Sequence, residues 1–275
     1  MKKIIVPIDY SEASDSSINI AKKLCEIWDA ELEVVFCWRP HLEAEMVSTG
    51  GYNVKETVHL EKLIGFLGKH NLPTKSGKLL TGLAGDVITE ISKDESTLMI
   101  VMGTVGEYGL LEKIIGGVAS QVMKNAECPI LLVPPKVITQ GRFKNILVAG
   151  EIESTDENSL LQIIDFTKRF NAKVDFANVS SFEQEDTGLH IPEELLEKIT
   201  RQEDIGFPFS ILNIYSESIE DGLNTHCEQN NIDLMILVTR THSWWENILS
   251  NKTLIDPQRI AFDMNRPILT IRIEE

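Results

Sequence analysis

Cysteine is scarce: four residues in 275, at Cys25, Cys37, Cys128 and Cys227, with no C-x-x-C pair and no metal-like spacing. That gives no footing to a cysteine-based metal site and makes a reduced, cytoplasmic compartment the expectation. Long apolar runs are missing too; none reaches the ~18 residues that span a bilayer. The opening Met1-Lys2-Lys3-Ile4-Ile5-Val6-Pro7 is too short in apolar residues for a signal peptide. Basic residues are the minority, 26 Lys+Arg against 42 Asp+Glu, for a net charge of −16. This disfavours duplex nucleic acid and anionic membranes as partners, since both select basic patches. Several catalytic signatures are absent. No G-x4-G-K-(S/T) occurs, which removes a P-loop. Asp9-Tyr10-Ser11-Glu12 follows the first apolar run where a dinucleotide fold needs G-x-G-x-x-G. Ser11 and Ser120 lack a G-x-S-x-G elbow, and no two histidines stand at the i,i+4 spacing that suggests zinc.

What remains is ordinary globular material, 43% apolar and 25% charged. Ile4-Ile5-Val6-Pro7-Ile8 is a short continuous apolar run, the pattern of a strand buried on both faces. Ser11 is a good N-cap for the helical pattern Ile18, Ala21, Leu24, Cys25, Trp28, although Ser14 does not complete a capping box. Further strands are predicted at 32–38, 76–81, 97–102 and 129–133, with helices at 55–71, 84–93 and 117–125 between them. Residues 39–54 read as irregular. Alternating strands and helices predict a parallel α/β sheet covered on both faces.

The second half repeats the order. Strands are predicted at 145–149, 173–179, 209–215, 234–238 and 267–271, with helices at 156–171, 192–203 and 218–230. Leu234-Met235-Ile236 echoes Leu98-Met99-Ile100, and Pro267-Ile268-Leu269 echoes Pro129-Ile130-Leu131. A shared order with matching runs argues for duplication. Residues 136–143 would be the linker between domains at 1–138 and 143–275, each of a size that can hold its own core. The charge divides unevenly. Residues 1–138 hold 14 basic and 18 acidic residues, net −4, and residues 139–275 hold 12 and 24, net −12.

One constellation could carry chemistry. Gly103 and Gly106 follow the fourth strand, and Gly116-Gly117-Val118 opens a helix, in the spacing G-x2-G-x9-G. Glycine permits close backbone approach, and a helix N-terminus offers free N–H groups and partial positive charge to a phosphate. In a strand order 3-2-1-4-5, Asp9 at the end of the first strand would share the switch-point crevice with these glycines. The same residues also fit a plainer account, with the glycines forming a tight turn and Asp9 capping the next helix.

The set resembles the universal stress protein family, and the chain looks like a tandem, two-domain version. The carriers are Ile4-Ile5-Val6-Pro7-Ile8-Asp9 with Ser11, the glycine run, Val118-Ala119, and Cys128-Pro129-Ile130-Leu131-Leu132-Val133-Pro134. The resemblance implies two five-stranded parallel Rossmann-like domains paired as a pseudo-dimer, with homodimerisation through the last strand as a further option. It implies a stress-response regulator or sensor binding ATP or another adenine nucleotide, with Mg as accompanying cation. Carried over, Gly103, Gly106, Gly116, Gly117 and Val118 would surround the phosphates. Pro7, Ile8 and Asp9 would lie by the nucleoside, with Asp9 facing ribose or metal. The family's Ser/Thr position is Gly117 here, so a hydroxyl contact worth ~0.5–1.5 kcal/mol is lost. No catalytic base stands out, so turnover is not expected beyond slow ATP hydrolysis.

In the second half the glycine positions become Thr239, His242 and Lys252, and Asp9 becomes Glu151. Such a loop cannot make the same backbone approach, and an acidic domain repels anions. Nucleotide binding is therefore expected in the N-terminal domain alone. The alternative is an interaction or scaffold protein of the same fold that binds no nucleotide. Trp244-Trp245 fits packing over a sheet edge or a partner-binding patch, and Glu193-Glu194 with Glu197 fits a solvated helix face.

Overall fold

Short β-branched runs become the centre of a parallel sheet in each half of the chain. The computed structural model describes residues 1–39, 52–104, 117–137, 141–150, 157–181, 206–240 and 257–273. Two compact units emerge, Met1–Lys136 and Val137–Glu275.

In unit 1 the strands are β1 (Lys3–Pro7), β2 (Glu31–Trp38), β3 (Gly77–Thr81), β4 (Thr97–Gly103) and β5 (Ile130–Val133). Their spatial order is β3-β2-β1-β4-β5, all parallel. Ile4, Ile5 and Val6 of β1 are fully buried, as a strand with neighbours on both sides and helices over it requires. The helices are α1 (Glu12–Trp28), α2 (Tyr52–Lys69), α3 (Ala84–Ser92) and α4 (Gly117–Asn125). Helix α1 lays Ile18, Ala21 and Leu24 against β1, β2, β4 and β5, while α3 packs on β2, β4 and α4. It ends at Asp29, whose left-handed φ of 49° lets its N–H return to the Cys25 carbonyl.

Unit 2 contains β6 (Asn145–Gly150), α5 (Glu157–Lys168), β7 (Lys173–Ser181), β8 (Phe209–Ser216), α6 (Ile219–Gln229), β9 (Leu234–Arg240), α7 (Pro257–Asp263) and β10 (Ile268–Ile273). The order β8-β7-β6-β9-β10 repeats that of unit 1 strand for strand. Ile146, Leu147, Val148 and Ala149 are fully buried. The seven-residue α7 was not expected; Pro257-Gln258-Arg259 carries too little apolar periodicity to reveal it. Helix α2 begins at Tyr52, three residues inside the stretch 39–54 read as irregular, because Gly50-Gly51 and not Val54 end the apolar-poor segment in the sequence; the rest of that stretch from 40 to 51 and the helix predicted at 192–203 lie outside the described residues.

Among the described residues no helix is long and apolar enough to cross a membrane. All four cysteines are free thiols. Burial pushes Cys25, Cys128 and Cys227 up to about 12 and Cys37 to about 11, so none is poised as a nucleophile.

Candidate functional site

The two central strands of unit 1 part at their carboxyl ends. β1 pairs with β2 through Pro7↔Val35, but its ladder with β4 ends at Ile5↔Ile100. β4 itself continues along β5 to Gly103↔Val133. Pro7 explains the parting. The N–H of Ile8 donates to the Val35 carbonyl on β2 at 2.9 Å. Successive N–H groups face opposite neighbours, so the nitrogen of Pro7 faces β4, and proline has no hydrogen to give. The proline is the strand's last residue, beyond the end of its ladder with β4, so no bond of that ladder is lost inside the sheet. The result is a crevice at the point where the winding reverses, where open α/β sheets bind ligands.

Asp9 stands at the mouth of that crevice, held by a local network. Its Oδ1 accepts the Ser11 N–H at 3.0 Å and the Ser14 hydroxyl at 2.8 Å, and its own N–H donates to Ser14 Oγ at 3.0 Å. Ser11 caps α1 by accepting the Ser14 N–H at 3.3 Å. Ser14 therefore does the work of the missing capping-box partner, reaching back to Asp9 instead of Ser11. The cap of α1 is thus Ser11 and not Asp9; Asp9 instead holds the cap residue and Ser14, and these bonds fix its carboxylate at the strand end.

Tyr10 follows in the left-handed region, with φ of 68°. A bulky non-glycine residue there is strained, and such strain clusters at functional sites. Its ring is clamped by Phe36 at 4.8 Å and Phe66 at 5.4 Å, with Lys62 Nζ 4.1 Å from the ring centre. Its hydroxyl is buried without a hydrogen-bond partner, and burial pushes the phenol up to about 12.

Across the crevice, Gly103 ends β4. Thr104 is fully buried, its N–H donating to the Val133 carbonyl at 3.1 Å and its Oγ1 left without a partner. Gly117 and Val118 open α4; Val118 is exposed, and a Cβ on Gly117 would meet nothing within 4 Å. Gly106 and Gly116 lie outside the described residues. The parallel sheet thus brings Pro7, Ile8, Asp9 and Gly103 to one edge. The open space at Gly117, the unpartnered Thr104 hydroxyl and the parted strands fit a phosphate-bearing ligand. Tyr10, Ser14 and Thr104 escaped the motif search. The missing donor of Pro7 was the available signal for the crevice itself.

Unit 2 differs at the corresponding place. β6 pairs with β9 along its length, from Ile146↔Leu234 to Gly150↔Val238. Ala149 stands where unit 1 has Pro7, and its N–H is intact. Glu151, His242, Lys252 and Trp244-Trp245 lie outside the described residues. Below this edge Asp175, nearly inaccessible, accepts from Ser210 Oγ at 2.5 Å, meets His226 Nε2 at 3.1 Å and has Lys173 Nζ at 3.1 Å. Unit 1 has a more exposed relative of this cluster, Asp15 with His70 Nε2 and Lys69 Nζ, each at 2.7 Å. Neither is a metal centre: among the described residues no group of three His, Cys, Asp or Glu could hold an ion.

Residues 1–134 match the model of the universal stress protein family. Over 142 residues the chain is 30% identical to a universal stress protein of Methanocaldococcus jannaschii, covering 48% of this chain and 81% of that protein. A universal stress protein from Archaeoglobus fulgidus superposes with a TM-score of 0.70 at 15% identity, covering 98% of this chain and 96% of its own. A functionally unknown protein from Pseudomonas aeruginosa superposes at 0.60 and 14% identity, covering 99% and 92%. At such identities these two likenesses concern the fold alone.

Proposed function

The chain belongs to the universal stress protein family, and on that premise we propose that unit 1 binds an adenine nucleotide in the crevice between β1 and β4. ATP, with or without Mg, is the leading ligand. The observation that carries this is the early end of the β1–β4 ladder at Ile5↔Ile100, against the full β6–β9 ladder of unit 2. The shorter β1–β4 ladder supports a single site per chain, in unit 1. Gly103, Gly106, Gly116, Gly117 and Val118 take the phosphates through backbone N–H groups, and Pro7, Ile8 and Asp9 lie by the nucleoside. Asp9 Oδ1 is held by the Ser11 N–H and the Ser14 hydroxyl, so its carboxylate is pre-oriented before a ribose hydroxyl or a cation arrives. Binding serves regulation, with Asp9 as a fixed carboxylate at the site.

Calorimetry on the full chain with ATP, ADP and AMP tests this. Saturable binding at one nucleotide per chain is the expected result; no binding at millimolar ligand to folded protein would sink it and leave a scaffold role. Gly117→Ser sharpens the test. The added side chain meets open space, and a hydroxyl returned to the phosphates should tighten ATP roughly two- to tenfold.

A further inference from the structure

The opposite edge of unit 2 holds a cavity of about 510 Å³, within the size range of small-molecule pockets. Its charged lining is Arg142, Lys144, Asp233 and Arg266, with Asn231 and Asn265 beside them. Lys144 directly precedes β6, Asp233 directly precedes β9, and Arg266 stands just ahead of β10. Because these strands are parallel, the cavity sits at their amino ends, away from the edge where the family's nucleotide cleft would lie.

Three cations and one carboxylate are an unusual lining in a unit of net charge −12. Asp233 makes no ion pair with Lys144 or Arg266 among the described residues. Its Oδ2 accepts the N–H of Lys144 at 2.7 Å and of Asn145 at 3.0 Å, tying β6 to β9. Arg266 is half-buried. Its Nη1 donates to the Ile232 carbonyl, its Nε is buried with no partner, and no ion pair joins it or Lys144 among the described residues. A guanidinium N–H that is buried without an acceptor is costly, and an anion beside it would relieve that cost. Arginine's planar fork suits a phosphate, and the Lys144 ammonium adds a second positive charge for it. Unit 1 lacks the set. Aligning Pro129-Ile130-Leu131 with Pro267-Ile268-Leu269 puts Cys128 at the place of Arg266. The place of Lys144 is taken by Lys2, whose Nζ donates to the Glu95 carbonyl at 2.8 Å.

We propose that this cavity is a second ligand site, taking a small phosphate-bearing anion held by Arg266, Lys144 and Arg142. It is independent of the nucleotide cleft in unit 1. The experiment is phosphorus NMR and calorimetry on the full chain with inorganic phosphate, competed with acetate, alongside an ATP titration. Saturable phosphate binding is expected, weakened about tenfold or more by Lys144→Gln and by Arg266→Gln. ATP binding in unit 1 should be unchanged by either. Lys144 is exposed, so Lys144→Gln keeps the fold and decides the matter if Arg266→Gln, which loses the bond to Ile232, unfolds. Phosphate binding that is absent, or equal in the wild type and Lys144→Gln, overturns the site. Acetate competing as well as phosphate overturns the ligand class. The ATP titration reports on unit 1 alone, so either site can fail without the other.

Discussion

Units 1 and 2 share a strand order and a pattern of buried residues, yet they diverge at the carboxyl ends of their central strands. β1 leaves β4 after Ile5, and β6 stays with β9 through Gly150. One backbone donor separates the two: Pro7 has none, and Ala149 has one. A core can therefore be kept while one strand pairing is lengthened, because the core depends on which side chains face inward and the pairing depends on one or two N–H groups. The charge follows a different logic. Unit 2 carries the greater acidity, but three of its cationic residues, Arg142, Lys144 and Arg266, gather at the other edge of its sheet, a local arrangement that net charge does not report.

The likeness of the two cores can be broken first. Ile100 in β4 and Ile236 in β9 are both fully buried and hold matching places. Each mutated to alanine should lose about 2–5 kcal/mol. Denaturant unfolding followed by two probes would show either a shared transition or one per unit; a silent Ile236→Ala would mean that unit 2 is not built like unit 1.

The two buried-acid clusters should differ. Burial works to raise the Asp175 carboxyl, but hydrogen bonds from Ser210, His226 and Lys173 outweigh it and hold the group below the usual carboxylate range. At Asp15, burial is likewise outweighed by Lys69 and His70. A folded pKa below the unfolded one gives stability that is full above the unfolded value, ~3.9, and is lost as pH falls through the folded value. Asp175→Ala strands Ser210 and His226 and should cost about 1–3 kcal/mol at neutral pH. Asp15→Ala, at a site nearly a third exposed, should cost less because water screens the pair. Acid unfolding below about pH 4 should be shallower in Asp175→Asn than in the wild type. Equal costs at Asp15 and Asp175 would show that burial does not rank the clusters.

The smallest effects concern the caps. Ser11 caps α1 and Ser218 caps α6, each accepting the N–H three residues on, at 3.3 and 3.0 Å. Ser→Ala at either should cost about 1 kcal/mol in thermal or denaturant unfolding. Ser11→Ala should be the costlier, since Ser11 is buried among Asp9 and Ser14.

Much of this was legible beforehand. Continuous apolar runs marked the buried parallel strands. Ser11 and Ser218 marked helix starts. Helical periodicity placed α3 at Ala84–Ser92 and α4 at Gly117–Asn125 within a residue or so. The glycine spacing and Asp9 pointed to one strand edge. What escaped has a common cause. Tyr10's left-handed turn, the Ser14–Asp9 exchange, the unpartnered Thr104 hydroxyl and the cation-lined cavity all join groups through space. Lys144 and Arg266 are 122 positions apart in the chain (266 − 144), and no local pattern couples them.

The sequence by itself determined the α/β alternation, its repetition and the family, because side-chain periodicity and apolar runs are local and survive without coordinates. Only the tertiary structure decided that β1 and β4 part while β6 and β9 do not, and where three positive charges gather in an acidic unit. Strand pairing and charge proximity are long-range: whether a backbone donor finds its acceptor, or a guanidinium its counter-ion, depends on what the fold sets opposite it.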